Sequence, residues 1–152
     1  MLKAILAPVD FSSATDSVVA EAARLAASLE AKVVLLSVIQ PPVITSEFAP
    51  LMENMAEITA AGEKAAATHL AHLQEQLQKQ GIPSEAVQLN GAPVPHILEQ
   101  AKAWSIDYIV MGSHGHHAIY DLLVGSTTHG VLLRATCPVV IVPPRKGLRT
   151  AQ

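Results

Sequence analysis

The sequence predicts an α/β protein built on an open, twisted five-stranded parallel sheet with helices on both faces. Two observations carry that expectation. Short apolar runs with little polar alternation recur along the 152 residues, and segments of helical spacing stand between them. Five strands alternating with four helices require crossover connections, which are right-handed and cover the sheet on both sides.

The elements follow in order. Lys3 to Val9 is the first apolar run, and Asp10, Ser12 and Ser13 follow it at once, as where a strand gives way to a helix start. Ser13 with Asp16 resembles a capping box, and Val18, Val19, Ala22, Ala23, Ala26 and Leu29 then recur at helical spacing. Lys32 to Ile39 lacks polar alternation and reads as an inner strand. Gln40 to Pro50 carries three prolines and no helical period, so it is expected to be a loop that serves as a lid or partner contact. Leu51 to Gln80 is rich in helix formers, with Gly81 and Pro83 as its stop. Ser84 to Leu89 reads as a third strand, Pro93 to Trp104 as a short helix and Asp107 to Met111 as a fourth, buried strand. Gly112 to Gly125 is a loop, Ser126 to Ala135 a helix opening on three hydroxyl residues, and Val139 to Val142 a last strand bracketed by prolines. Residues 1–144 are expected to form one domain and 145–152 a frayed tail.

Composition narrows the function. Half of the residues are hydrophobic and 15% are charged, against roughly 25% charged in an average chain, so a sizeable core is expected and disorder is not. Aromatics make up 3% and the net charge is -3, which leaves neither stacking platforms nor a basic groove for nucleic acid. No apolar run approaches the roughly 18 residues of a membrane span. The apolar start is too short for a signal peptide, and the single cysteine, Cys137, has no internal disulfide partner; both features point to the cytoplasm. Cys137, before Pro138 and an apolar run, reads as a small core residue and not as a nucleophile.

The informative segment is Met111 to Thr128, MGSHGHHAIYDLLVGSTT. Its glycines stand where a strand ends and where a helix begins, the two places where backbone must approach a ligand closely in such a sheet. Gly125 directly precedes Ser126, Thr127 and Thr128 at the start of the last helix, whose first N–H groups lack helical partners and whose dipole favours an anion. The pattern GxxxxGK[ST] is absent, and the first strand-to-helix turn, Pro8 to Ser13, has no glycine, so neither a Walker loop nor a GxGxxG turn is present.

The spacing G-x2-G-x9-G-[ST], filled by Gly112, Gly115, Gly125 and Ser126, resembles the ATP-binding signature of the universal stress protein family. The resemblance extends to the opening strand that ends Pro8-Val9-Asp10, the second strand that ends Leu36-Ser37-Val38-Ile39, the GSHGH stretch, and the closing run from Ala135 to Val142. It implies a Rossmann-like adenine-nucleotide-binding fold with strand order 3-2-1-4-5, dimeric through the Val139–Val142 edge, in a cytoplasmic stress-response regulator. By the same resemblance Pro8, Val9 and Asp10 line the nucleoside pocket and Val38 offers its backbone to the adenine edge. Met111 and Gly112 lie by the ribose, with Ser113, His114 and His116 in the same loop. Gly115, Gly125, Ser126, Thr127 and Thr128 cradle the phosphates of ATP, ADP or AMP. Gly112 to Thr128 contains no Lys or Arg, so Mg²⁺ is expected to help meet the phosphate charge. An unidentified protein partner is expected, and no catalytic residue is assigned, although a slow ATPase and a nucleotide-independent scaffold remain alternatives.

The histidines have a competing reading. His114, His116, His117 and His129 suit a transition metal, yet three in one loop impose no tetrahedral geometry, so they are read as touching phosphate or solvent. His69 and His72 on the long helix are read as solvated. Gly130 weakens the last helix by roughly 1 kcal/mol relative to Ala, for which close packing is the expected reason.

Overall fold

Each inner strand carries side chains alternately to two opposite layers, and that alternation sorts the core. The computed structural model describes residues 2–41, 52–115 and 124–144. Their elements run β1 (Lys3–Pro8), α1 (Thr15–Leu29), β2 (Ala31–Ile39), α2 (Met52–Lys79), β3 (Ser84–Asn90), α3 (Pro93–Ala103), β4 (Tyr108–Gly112), α4 (Ser126–Arg134) and β5 (Val139–Val142). They form a five-stranded sheet in the order β3-β2-β1-β4-β5, and every neighbouring pair is parallel. Register is set in the centre, where Ile5 stands opposite both Val33 and Tyr108.

Ile5, Ala7 and Val9 of the first strand segment pack with Val33, Leu35 and the apolar faces of α1 and α2. Ala4 and Leu6 point the other way, to Val34, Leu36, Ile97 of α3 and Val131 of α4. With both faces covered, the inner strands have no solvent side, and the missing polar alternation in the sequence follows. The edges differ: β3 shows a mostly exposed or half-buried pattern, and all four residues of β5 are half-buried.

The start of α1 corrects one expectation. The helix begins at Thr15 with Ala14 at its N-cap, and no side chain caps it, so Ser13 and Asp16 form no capping box. The turn before it is built one step earlier. The Ser12 N–H donates to Asp10 Oδ1 at 3.0 Å, the Ala14 N–H to Ser12 Oγ at 3.3 Å, and the Thr15 N–H to the Ser12 carbonyl at 3.1 Å. With Ala14 at the N-cap, Ser13 stands one residue outside the position from which a side chain caps. The stop of α2 is as expected: Gly81 takes φ +77°, and the N–H groups of Gly81 and Ile82 donate to the carbonyls of Gln78 and Leu77. The segments from 42 to 50 and from 145 to 152, expected to be a loop and a tail, lie outside the described residues.

Gly130 has the packing reason its position called for. A Cβ there would stand 2.8 Å from Val94 Cγ2, a branched side chain with few rotamers to retreat into. Gly130→Ala is therefore expected to destabilise the fold by about 1 kcal/mol net, since overpacking costs about 1–3 kcal/mol and helix propensity returns roughly 1. Urea denaturation reads this as a lower midpoint at unchanged slope; a raised midpoint contradicts it.

Candidate functional site

β1 and β4 are neighbours, yet the chain leaves β1 for α1 on one face and β4 for α4 on the other. At their carboxyl ends a cleft of about 490 Å³ opens. That volume falls inside the roughly 300–1,000 Å³ of small-molecule sites, at the point where α/β sheets hold ligands.

The cleft brings together residues far apart in sequence. Pro8, Val9 and Asp10 enter from the end of β1, Val38 from β2, and Met111, Gly112, His114 and Gly115 from the end of β4. Gly125, Ser126, Thr127 and Thr128 enter from the start of α4. Ser113 is buried beside the cleft, with its hydroxyl 3.0 Å from His114 Nδ1. His116 and His117 lie outside the described residues.

Two hydrogen bonds fix the relation between β4 and α4. The Gly125 N–H donates to the Ser113 carbonyl at 2.6 Å, and the buried Thr128 hydroxyl donates to the Gly112 carbonyl at 2.8 Å. The loop between is closed at its base, and the first turn of α4 is held against the end of β4. Thr128, expected at the phosphates, lines the cleft and gives its hydroxyl proton to the strand end. The N-cap residue of α4 is Gly125, which has no side chain to cap the first-turn N–H groups.

None of the three signature glycines adopts a positive φ. Space is what they supply. A Cβ at Gly115 would collide with the Asp10 carboxylate, and one at Gly112 would press on Ala14 Cβ at 3.2 Å and the His114 carbonyl at 3.3 Å. At Gly125 a Cβ would meet only ordinary contacts, the nearest at 3.5 Å, among the described residues. The strained backbone is at Phe11, φ +59°, a conformation a bulky side chain seldom adopts. It turns the chain sharply after Asp10 and carries the Phe11 ring to His69 of α2, edge to face at 4.9 Å between centroids.

Sequence reasoning missed Phe11, Thr15 and Ser37, which also line the cleft, and Ala66 and Ile97, which reach it from α2 and α3. The helical residues had no local signal, because only packing decides which turn of a helix borders a cleft. Thr15 and Ser37 had a weak one, each a hydroxyl inside an otherwise apolar face.

Chemically, the lining is apolar toward Val38, Met111 and Ile97, and polar toward Asp10 and the start of α4. Among the described lining residues there is no Lys or Arg, and among the described residues no cluster of His, Cys, Asp or Glu is grouped as for a metal ion. His69 and His72 are exposed. Cys137 packs against the α3/α4 side of the core, and burial, followed by the Asp107 charge, pushes its thiol pKa up. The thiolate is scarce near neutral pH, in keeping with a packing role.

Among known proteins, the profile of the universal stress protein family matches residues 1–143. The chain belongs to that family. Universal stress protein A homolog 1 of Coxiella burnetii is 35% identical over 144 residues, covering 92% of this chain and 95% of the relative. The solved universal stress protein UspA from Lactobacillus plantarum superposes with a TM-score of 0.82 at 27% identity, covering 92% of this chain and 97% of that one. A universal stress protein solved in complex with cAMP shares the fold, with a TM-score of 0.70 at 22% identity over 95% of this chain and 98% of that one. Universal stress proteins of this architecture thus include nucleotide complexes.

In this universal stress protein the Thr128 staple is testable without any ligand. Thr128→Val keeps the shape and orphans the Gly112 carbonyl. A stability loss of about 1–3 kcal/mol is expected, together with faster amide exchange at Gly125 and Ser126. Unchanged exchange at those amides would show that the hydroxyl does not hold the two segments together.

Proposed function

We propose that this chain is a regulatory protein that binds an adenine nucleotide with Mg²⁺ in the cleft at the carboxyl ends of β1 and β4. The supporting observation is the meeting of Gly112, Gly115, Gly125 and Ser126 at the N-terminus of α4, whose N-cap is a glycine. Several N–H groups directed at one place suit a phosphate, each contributing about 0.3–1 kcal/mol. The apolar side formed by Val38 and Met111 suits the nucleoside. The cAMP complex of a universal stress protein of the same fold is consistent with this choice of ligand. Mg²⁺ fits as an ion carried by the phosphates, since the described residues offer no ready cluster to hold it alone. Nucleotide occupancy would act by altering the surface formed around the cleft for a protein partner, in the cytoplasm.

Gly125 separates ligand approach from folding, because a methyl there would meet only ordinary contacts among the described residues. Titration calorimetry of ATP with Mg²⁺ should give binding to the native chain, and Gly125→Ala should weaken it at least tenfold with melting temperature within a degree or two. No heat and no thermal shift at millimolar nucleotide would leave the nucleotide-independent scaffold as the reading. Slow hydrolysis is a second reading that Asp10 favours, as the carboxylate in the described lining.

Assembly is proposed through β5. Its residues are half-buried, the strand is at the sheet edge, and Leu133 nearby on α4 is 72% exposed. An uncovered apolar edge strand is a template for pairing, and a second copy of this chain is its simplest cover. Val140→Lys should convert a dimer to monomer or insoluble protein by light scattering; an unaltered dimer contradicts the arrangement.

A further inference from the structure

The cleft crosses the rim of the sheet, and its two sides differ in chemistry. On the α3/α4 side stand Val38 and Met111 with the start of α4. On the α1/α2 side stand two hydroxyls that the glycine signature does not include. Ser37 follows Val33 and Leu35 in strand alternation and so faces α1 and α2, and it is 3% exposed. Thr15 opens the buried face of α1, ahead of Val18 and Ala22, and is 7% exposed. Both line the cleft. The Thr15 Oγ1 atom is buried with no hydrogen-bond partner among the described residues.

A buried hydroxyl left unpaired costs about 1–3 kcal/mol, so its place beside a ligand-sized cleft calls for a reason. The surroundings specify what would pair with it. Val18, Ala66 and Phe11 line the same side, and the Asp10 carboxylate stands at the turn that leads into α1. Apolar neighbours and a carboxylate disfavour a phosphate there and suit an uncharged group that carries hydrogen-bonding atoms.

We infer that Thr15 and Ser37 form a specificity subsite for the uncharged nucleoside part of the ligand, opposite the apolar wall of Val38 and Met111 and separate from the anion end at α4. This rests on the nucleotide reading above. The ligand then spans the rim, its phosphates at the α4 N-terminus and its base or sugar hydrogen-bonded on the α1/α2 side.

The test compares adenosine with ATP and Mg²⁺ on the native chain, Thr15→Val and Thr15→Ser, alongside thermal melts of the unliganded proteins. Thr15→Val should weaken adenosine and ATP by the same factor, about tenfold, because the contact is to their shared part. Thr15→Ser should stay within about threefold. The unliganded Thr15→Val protein should melt at the native temperature or above it, since a partnerless hydroxyl has been removed. Equal affinities for Thr15→Val and the native chain would overturn the subsite, as would a loss confined to ATP, which places the contact at phosphate. So would a Thr15→Val melting temperature several degrees lower, which makes the hydroxyl structural. If the native chain binds neither probe, the nucleotide reading itself falls and the subsite with it.

Discussion

A sheet sealed on both faces has no room for polar chemistry except at its strand ends. The pleat of β1 and β2 sends alternate residues to two apolar layers, Ile5, Val33 and Leu35 to one and Leu6, Val34 and Leu36 to the other. Within those layers any unpaired polar group is penalised. The chain can change face only where strands stop, and β1 and β4 stop side by side with helices departing in opposite directions. The site is therefore a consequence of topology first, and its residues are those that arrive at that rim.

Arrival alone does not make a rim rigid enough to recognise anything. The end of β4 and the start of α4 are joined through Gly125 to Ser113 and through Thr128 to Gly112, and the end of β4 is tied to β5 by the Ser113 N–H donating to the Val142 carbonyl at 3.0 Å. Gly112 and Gly115 then permit the close approach of Ala14 and Asp10, bringing the α1 side of the rim against the β4 side. The three glycines of the spacing thus differ in their surroundings. Gly112 and Gly115 are crowded by neighbouring protein atoms, which would have to shift to admit a Cβ. At Gly125 a Cβ would meet only ordinary contacts among the described residues.

That division shows where reading a sequence succeeds. Strands buried on both faces announce themselves as unbroken apolar runs, and α1 does so through Val18, Val19, Ala22, Ala23 and Ala26, all buried. The clash that excludes a side chain at Gly130 was foreseeable because a glycine inside a helix otherwise weakens it. The start of α1 was misread because Ser13 and Asp16 fit a capping box in spacing, whereas the helix begins one residue later, with Ala14 at its N-cap, after a turn built by Asp10 and Ser12. Phe11 illustrates a different limit. Its left-handed backbone is paired with contact to His69, 58 positions later, and no local preference announces such a bargain between strain and packing. Thr15 and Ser37 became visible as a pair only once the fold set them on one side of one cleft.

The same lining bears on whether a bound nucleotide would be consumed. Helix N–H groups and hydroxyls accelerate transfer only where they meet the phosphate more strongly in the transition state than in the ground state. Phosphoryl transfer is driven by cationic groups that meet charge as it develops and by a residue that orients the nucleophile. The described lining contains no Lys or Arg for the first task. Asp10 is the carboxylate present for the second, and one of its oxygens already accepts the Ser12 N–H. Under the proposed function, occupancy is the quantity a partner protein would read, and the rim joining both faces of the sheet is where that occupancy would alter the surface.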